Sequence, residues 1–289
     1  MAGVRPYGCF THAVVRGIPE SFGGTAEGGD TNGGCVTELA KAQRQFGMLT
    51  GALRQKVGLQ LIEIPPDPAL PDSWRLEDLA VVQGDTALVT RPWQQQRRSE
   101  AEAVRRVLSE LNLTVVEMGG EEGGSGGATL EGSDVLFTGK EFFVGISPHT
   151  NHRGAEVLAD TFRDFAVSTV PVCGGTRLKN ICSMGGPDTI VISNSEGAKK
   201  TLRMMEQLTD HHYEVLTVPE DAAANCIYIR GPSKAHFLLH RTADECPDSA
   251  PAFQKLTDYT LLPTACTEAS KLGGALSSFC LLINRKPQL

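Results

Sequence analysis

The 289-residue sequence has no long basic run and no long apolar stretch. Its formal net charge is -7, and no run of Lys or Arg exceeds two residues. Because phosphate recognition needs clustered Lys and Arg, we predict no nucleic-acid partner. No apolar segment approaches the roughly 20 residues that a membrane span needs, and Met1 to Thr11 lacks the apolar core of a secretory signal. We therefore expect a cytoplasmic protein without a membrane span.

Closely spaced metal ligands are also lacking. The eight cysteines form no C-x-x-C pair, and the seven histidines show no H-E-x-x-H spacing. A structural zinc site needs ligand pairs at short spacing, so we predict no metal and no cofactor. Most of the cysteines are expected to be small buried residues. Cys280 lies in the largely apolar run from Ser277 to Asn284, where it fits either a core residue or a nucleophile activated by an unseen neighbour.

What the sequence does contain is a recurring order of elements. Apolar spacing predicts a helix over Thr37 to Val57, a strand over Leu59 to Ile64, and then a hairpin around Gly84-Asp85. The same order recurs along the chain and gives about five modules of roughly 45–60 residues. The segment from Phe10 to Arg16 is a candidate hairpin partner for a closing strand at Phe279 to Asn284.

Two architectures accommodate this order, a closed α/β ring and a doubly wound open sheet. A single module cannot bury its apolar face, so the modules must pack around a shared centre. The hairpins favour the ring, because doubly wound sheets alternate single strands with helices. We predict one domain over 1-289, built from ββαβ units around a central cavity. The glycine-rich stretches near 22-35 and 119-127 are expected to be flexible loops, since they offer little apolar surface to offset ordering; the first is also a candidate lid.

Two pairs of charged residues stand out as candidate binding groups. Glu77 and Asp78 precede a predicted strand, and burying adjacent carboxylates requires a nearby cation, a role that a guanidinium suits. Arg97 and Arg98 follow the hairpin and are suited to gripping a carboxylate. On the residues alone, each pair also fits a solvated surface, which is the more common setting for charged side chains.

Long stretches of the chain resemble the dimethylarginine dimethylaminohydrolases over nearly its whole length. They read THAVVR from Thr11, LEDLAVV from Leu76, DVLFTGKEFFVG from Asp134, NHRGAE from Asn151, ADTFRDFAVSTVPV from Ala159, AANCIY from Ala223 and INRK from Ile283. Features of both vertebrate isoforms are present, and the C-terminal strand resembles that of the second.

The resemblance implies a fold, a reaction and a biological setting. The fold would be a five-bladed α/β propeller of the pentein type, within the amidinotransferase superfamily. In the family reaction, a Cys thiolate attacks the guanidino carbon of an N-methylated arginine. Methylamine or dimethylamine leaves, and water then releases citrulline, while a His serves as acid and base. The implied ligand is a small guanidino amino acid, and the implied setting is arginine metabolism and nitric oxide regulation.

Part of the family's binding site is retained when it is carried over by position. Asp72, Glu77 and Asp78 match substrate-binding acids of the family, and Arg97 matches an arginine that contacts substrate. A second substrate-gripping arginine falls on His149, which is mostly neutral at pH 7.

The catalytic positions depart from the family pattern. The catalytic His falls on Arg177, and the nucleophile falls on Ser278 or Cys280, depending on the isoform compared. A guanidinium does not give up its proton near neutral pH, and loss of an acid–base group costs about 10²–10⁴ in rate. We therefore expect weak or absent dimethylarginine hydrolysis, with an unidentified ligand or protein partner in its place. The alternative is an active amidine hydrolase that uses Cys280 in a rebuilt site, with His149 or His152 as the acid.

Overall fold

A computed structural model describes residues 7–24, 36–119, 127–173, 176–231 and 234–285. Within these ranges the strands form five sheets of three strands each. Most of the glycine-rich stretches predicted near 22-35 and 119-127 lies outside the described residues. Among the described helices, none has the length and apolar character needed to cross a membrane.

The five sheets share one internal order. Written from the inner strand outward, they are β15 (Cys280–Ile283), β1 (His12–Arg16) and β2 (Gln60–Ile64); β3 (Ala80–Gln83), β4 (Thr86–Val89) and β5 (Thr114–Glu117); β6 (Val135–Phe137), β7 (Glu141–Ile146) and β8 (Ala166–Pro171); β9 (Cys182–Gly186), β10 (Thr189–Ser193) and β11 (Glu214–Val218); and β12 (Ile227–Arg230), β13 (His236–His240) and β14 (Tyr259–Pro263). In each sheet the inner pair is antiparallel and the outer pair is parallel.

A helix joins the middle and outer strands of every sheet, as a parallel pair requires. These crossover helices are α1 (Leu39–Gly51, continued by a π-helical segment at Ala52–Val57), α2 (Ala101–Glu110), α3 (His152–Thr161), α4 (Glu196–Leu208) and α5 (Ala250–Gln254). A sixth short helix, α6 (Thr267–Lys271), follows β14 and was not predicted. The predicted ββαβ repeat is confirmed, and each sheet with its helix is one blade.

Local sequence explains where several helices begin and end. The side chain of Asn151 accepts a hydrogen bond from the backbone N–H of Gly154 and so caps α3, and Ser195 caps α4 through Ala198. At the end of the first helical stretch, Gly58 adopts a φ of 83°, a left-handed conformation that glycine reaches without steric cost. Apolar side chains such as Val104 and Leu108 of α2 are fully buried against the neighbouring strands, each contributing about 1.5–3 kcal/mol.

The ring closes where the two chain ends meet. His12 of β1 pairs with Ile283 of β15, as the candidate pairing of Phe10 to Arg16 with the closing strand predicted. All five inner strands contribute residues to a single cavity of about 150 Å³, which we call the axial cavity. The structure is therefore a five-bladed α/β propeller of the pentein type, and the doubly wound alternative is wrong because the strands form five separate sheets around one axis.

Each inner strand is preceded by a short 3-10 helix, a feature that the sequence did not predict. These helices are Leu76–Leu79, Gly132–Asp134, Leu178–Asn180, Asp221–Ala224 and Leu276–Phe279. Neighbouring members contact one another at one end of the ring. They carry or adjoin most of the residues of the candidate site.

Candidate functional site

A pocket of about 270 Å³ lies beside the 3-10 helices. Its wall contains Arg75, Arg97 and Arg177, and the one carboxylate among the described lining residues is that of Asp72. We call it the arginine pocket. The complete set of described lining residues is Gly23, Asp72, Arg75, Gln94, Arg97, His149, Arg177 and Leu272.

Arg97 is fixed by carboxylates on two sides. Its Nη1 donates to Oδ2 of Asp78 at 2.8 Å, while Nε and Nη2 donate to Oε2 of Glu100 at 3.2 Å and 3.0 Å. Burial by itself lowers the pKa of Arg97, but Asp78 and Glu100 outweigh it and raise that pKa above its ordinary value. The guanidinium is therefore permanently charged, and most of its donors are already used.

Asp78 lies beneath the wall of the pocket and holds this arrangement together. Its Oδ1 accepts a hydrogen bond from the hydroxyl of Ser133 at 2.5 Å. Burial raises the pKa of Asp78, yet Arg177, Arg97 and Arg75 together hold it well below its usual range. Removing one partner of such a buried ion pair is strongly destabilising, since it leaves a bare charge in the interior.

Glu131, which the sequence did not single out, is the buried partner of Arg177. Nε and Nη2 of Arg177 donate to Oε2 of Glu131 at 3.1 Å and 2.8 Å. The other oxygen, Oε1, has no hydrogen-bond partner in the described part of the chain; it lies 3.9 Å from Nη1 of Arg97 and 3.9 Å from Nδ1 of His149. Burial and the charge of Asp78 raise the pKa of Glu131 to about 7, against the opposing effect of both arginines.

Arg75, Glu131 and Arg177 occupy the same position in three successive blades. Each immediately precedes the 3-10 helix that leads into the inner strand. Since equivalent positions of a closed repeat face the same end of the axis, the repeat itself is the signal that would have identified Glu131 and Arg75.

His149 lies on the pocket wall in the loop between β7 and α3. Its backbone N–H donates to the hydroxyl of Ser147 at 3.0 Å, and its ring meets the edge of Trp93 at a centroid distance of 6.3 Å. Burial, and then the charge of Arg177, lowers the pKa of His149 to about 4. The imidazole is therefore neutral at pH 7, and its buried Nδ1 has no partner among the described residues.

Arg75 reaches across the mouth of the pocket. Its Nη2 donates to the carbonyl oxygen of Leu272, its Nε lies 3.7 Å from Oδ1 of Asp72, and its guanidinium carbon stands 4.6 Å above the ring of Trp74. Burial and the neighbouring charge of Arg177 lower the pKa of Arg75 to about 10, so it remains a cation at physiological pH.

The axial cavity holds a second polar group. Nζ of Lys179 donates to Oε1 of Glu77 at 2.5 Å, and the hydroxyl of Ser277 donates to Oε2 of the same carboxylate at 2.6 Å. Asn225 donates to the Ser277 hydroxyl at 2.8 Å. Cys280, the first residue of β15, lines the same cavity.

The Cys280 thiol lies in an environment that disfavours its thiolate. The residue is 4% exposed. Burial and the negative charge of Glu77 raise the pKa of Cys280 to about 12, although Lys179 opposes this. A thiol in this setting is protonated at neutral pH and is a poor nucleophile.

Ser278 is not part of the closing strand. This alternative position for the nucleophile belongs to the 3-10 helix Leu276–Phe279, and the strand begins at Cys280. The Ser278 hydroxyl accepts a hydrogen bond from the backbone N–H of Ala275 at 2.9 Å, which stabilises that turn. Ser278 is not among the described residues that line either cavity.

The sequence-predicted residues are thus divided between two places. Asp72, Arg97, His149 and Arg177 meet at the arginine pocket, and Glu77 and Cys280 at the axial cavity. Of the four residues that match the family's substrate-binding acids and arginine, Glu77 and Asp78 are absent from the described lining of the arginine pocket, since each forms its own ion pair.

No family model matches the chain. The sequence is 54% identical over 280 residues to "Putative hydrolase DDAH2" of Bos taurus, covering 96% of this chain and 95% of that protein. The Homo sapiens protein of the same name is 53% identical over 280 residues, which again cover 96% of this chain and 95% of that protein. The N(G),N(G)-dimethylarginine dimethylaminohydrolase of Pseudomonas aeruginosa is 26% identical over 194 residues, which span 66% of this chain and 72% of that enzyme.

Solved structures share the fold. A mutant of DDAH from Pseudomonas aeruginosa, complexed with citrulline, matches with a TM-score of 0.79 at 22% identity and covers 95% of this chain and all of its own. The substrate-bound N-terminal domain of ArgZ, an arginine dihydrolase of cyanobacteria, matches with a TM-score of 0.73 at 16% identity, covering 95% of this chain and 98% of its own. At such identities these structures support the fold alone, whereas the mammalian relatives cover nearly the whole chain. This chain belongs to the dimethylarginine dimethylaminohydrolase family.

Proposed function

We propose that this member of the family binds a small molecule in the arginine pocket and hydrolyses methylated arginine weakly or not at all. The observation that carries the proposal is the pair of hydrogen bonds from Arg177 to Glu131. The family resemblance puts the catalytic histidine at position 177. A guanidinium paired with a buried carboxylate cannot supply or remove a proton near pH 7, so the leaving amine has no donor there.

The placement of the candidate nucleophiles supports the same proposal. Cys280 opens onto the axial cavity rather than the arginine pocket, and its pKa is raised to about 12. Roughly one thiol in 10⁵ is then ionised at pH 7. Ser278 has no base among its described hydrogen-bond partners and accepts a hydrogen bond from the backbone of Ala275. An unassisted serine hydroxyl is a weak nucleophile.

The alternative function is an active amidine hydrolase that uses Cys280 in a rebuilt site. One observation favours it: Lys179 shares the axial cavity with Cys280 and lowers the pKa of the thiol. Burial and Glu77 act in the opposite direction and outweigh that effect. Neither histidine of the sequence-based alternative lines that cavity among the described residues, since His149 lies on the arginine pocket and His152 is exposed at the start of α3.

A steady-state assay of citrulline release separates the two functions. Purified protein would be given dimethylarginine beside the Pseudomonas aeruginosa enzyme, with Cys280→Ser as the matched variant. We expect turnover at least about 10²-fold below that enzyme, the loss that absence of an acid–base group entails, and no further change in Cys280→Ser. Turnover within about tenfold of that enzyme, abolished by Cys280→Ser, would support the rebuilt site instead.

A further inference from the structure

Arg75 and Arg177 each present a guanidinium nitrogen without a described hydrogen bond to the arginine pocket. All three guanidinium nitrogens of Arg97 already donate, to Asp78 and to Glu100. Arg177 uses Nε and Nη2 on Glu131, and Arg75 uses Nη2 on the carbonyl of Leu272. In the described part of the chain, Nη1 of neither Arg75 nor Arg177 makes a hydrogen bond, and both side chains line the pocket at 10% and 11% exposure.

We propose that the arginine pocket binds a small molecule through an oxyanion, a carboxylate or a phosphate, held by Arg75 and Arg177, and that it discriminates against a guanidinium. The proposal rests on the proposed function, in which the pocket retains a ligand rather than turning it over. Guanidinium donors match the geometry of carboxylate and phosphate oxygens. A cationic group entering the pocket would meet three arginines and, among the described lining residues, only the carboxylate of Asp72.

Two buried atoms without partners, one in the wall of this pocket and one directly behind that wall, point independently to a ligand there. Oε1 of Glu131 and Nδ1 of His149 stand 3.9 Å apart, and neither makes a hydrogen bond within the described residues. The Glu131 side chain is 1% exposed. Buried polar atoms are almost always satisfied in folded proteins, so this pair is explained by a bound group that completes their hydrogen bonding.

The carboxyl of Glu131 also suits an anionic ligand. Burial and Asp78 raise the pKa of Glu131 to about 7, so near neutral pH a large fraction carries a proton that Oε1 can donate to a ligand oxygen. The groups that face it are Asp78, Arg97, Arg177 and His149. An oxyanion beside Arg177 would favour the protonated form further, because like charges raise a carboxyl pKa.

Both tryptophans of the chain report on this pocket. Trp74 lies under the guanidinium of Arg75, and Trp93 touches the ring of His149. Intrinsic fluorescence therefore follows ligand binding without a label. The titrants are inorganic phosphate, succinate as a small dicarboxylate, and L-arginine as the guanidino comparison, all at constant ionic strength because surface electrostatics is screened by salt.

We expect saturable fluorescence changes with succinate or phosphate, and weaker binding of L-arginine. The anion that binds more tightly shows whether the pocket is suited to a carboxylate or to a phosphate group. Arg75→Gln and Arg177→Gln should each weaken anion binding about tenfold or more, since each removes a charge-assisted hydrogen bond. The matched control is Arg105→Gln, an exposed arginine of α2 that pairs with Glu102, and it should bind as the unaltered protein does.

Tighter binding of L-arginine than of either anion would overturn the inference, as would anion binding that neither arginine variant changes. The comparison of titrants on the unaltered protein decides the matter even if a variant fails to fold. The citrulline assay is a separate readout. Turnover of dimethylarginine within about tenfold of the Pseudomonas aeruginosa enzyme would overturn the proposed function, whereas loss of the anion preference alone would overturn only this inference.

Discussion

Arg177 donates two hydrogen bonds to one oxygen of Glu131 and leaves the other oxygen of that buried carboxylate without a described partner. The pair joins two blades, because Glu131 precedes β6 and Arg177 precedes β9. It fixes a permanent cation where the family resemblance leads one to expect a proton carrier.

The raised pKa of Glu131 makes stability depend on pH. Its folded pKa of about 7 lies above the ordinary 4.5, so the folded state holds a proton that the unfolded chain releases. This contribution is fully present below about pH 4.5 and is lost as pH rises through 7, at up to about 1.4 kcal/mol per pH unit. Urea unfolding between pH 5 and 8 should therefore show a slope that Glu131→Gln reduces. Parallel slopes for the two proteins would contradict the assignment.

Two neighbours act in the same pH range and make the comparison with the variant necessary. Burial raises the pKa of Asp134 to about 6, which again stabilises the fold at lower pH. Burial and Arg177 lower the pKa of His149 to about 4, which has the opposite sign, since the unfolded chain takes up that proton first as pH falls. The contribution of Glu131 alone is therefore the difference between the pH slopes of the unfolding free energy in the unaltered protein and in Glu131→Gln.

Cys280 should resist alkylation in the folded protein. Its pKa of about 12 and its 4% exposure leave little thiolate for iodoacetamide at pH 8. Cys9 and Cys173 are partly exposed and provide the internal control, because they should react first. Peptide mass spectrometry after a short exposure identifies each modified residue. Preferential modification of Cys280 would indicate an activated nucleophile and contradict this account.

The contact between the first two of the 3-10 helices depends on Gly132. A Cβ at Gly132 would collide with the carbonyl oxygen of Glu77, whose side chain reaches Lys179 in the axial cavity. We expect Gly132→Ala to destabilise the protein by more than about 2 kcal/mol, a large effect for one methyl group. Gly47→Ala is the matched control, because that helical position has open space, and it should stabilise by up to about 1 kcal/mol. If both variants changed the free energy of unfolding equally in urea, the close packing at Gly132 would not be needed for stability.

Much of the fold was predictable from periodicity. Apolar spacing predicted a helix over Thr37 to Val57 and a strand over Leu59 to Ile64. The structure has helical residues from Leu39 to Val57 and a strand at Gln60–Ile64. The pairing of the two chain ends also followed from the pattern of strands. Such features are local or are repeated, so a sequence displays them directly.

The candidate site was less predictable, because it depends on short 3-10 turns and on contacts between blades. The 3-10 helix that contains Ser278 could not be predicted, since a turn of four residues leaves no periodic signal. Glu131 went unnoticed because its partner Arg177 is 46 residues away in sequence. Glu77 and Asp78 are adjacent, yet one lines the axial cavity and the other lies under the arginine pocket, and that division depends on ion pairs with distant residues.

The central claim concerns chemistry, so its most direct test is a single-turnover experiment. Protein would be mixed in excess over dimethylarginine, and citrulline measured over time beside the Pseudomonas aeruginosa enzyme, which separates bond cleavage from product release. We predict citrulline formation slower than in that enzyme by at least about 10²-fold. Citrulline formed at a comparable rate, and lost in Cys280→Ser, would contradict the account.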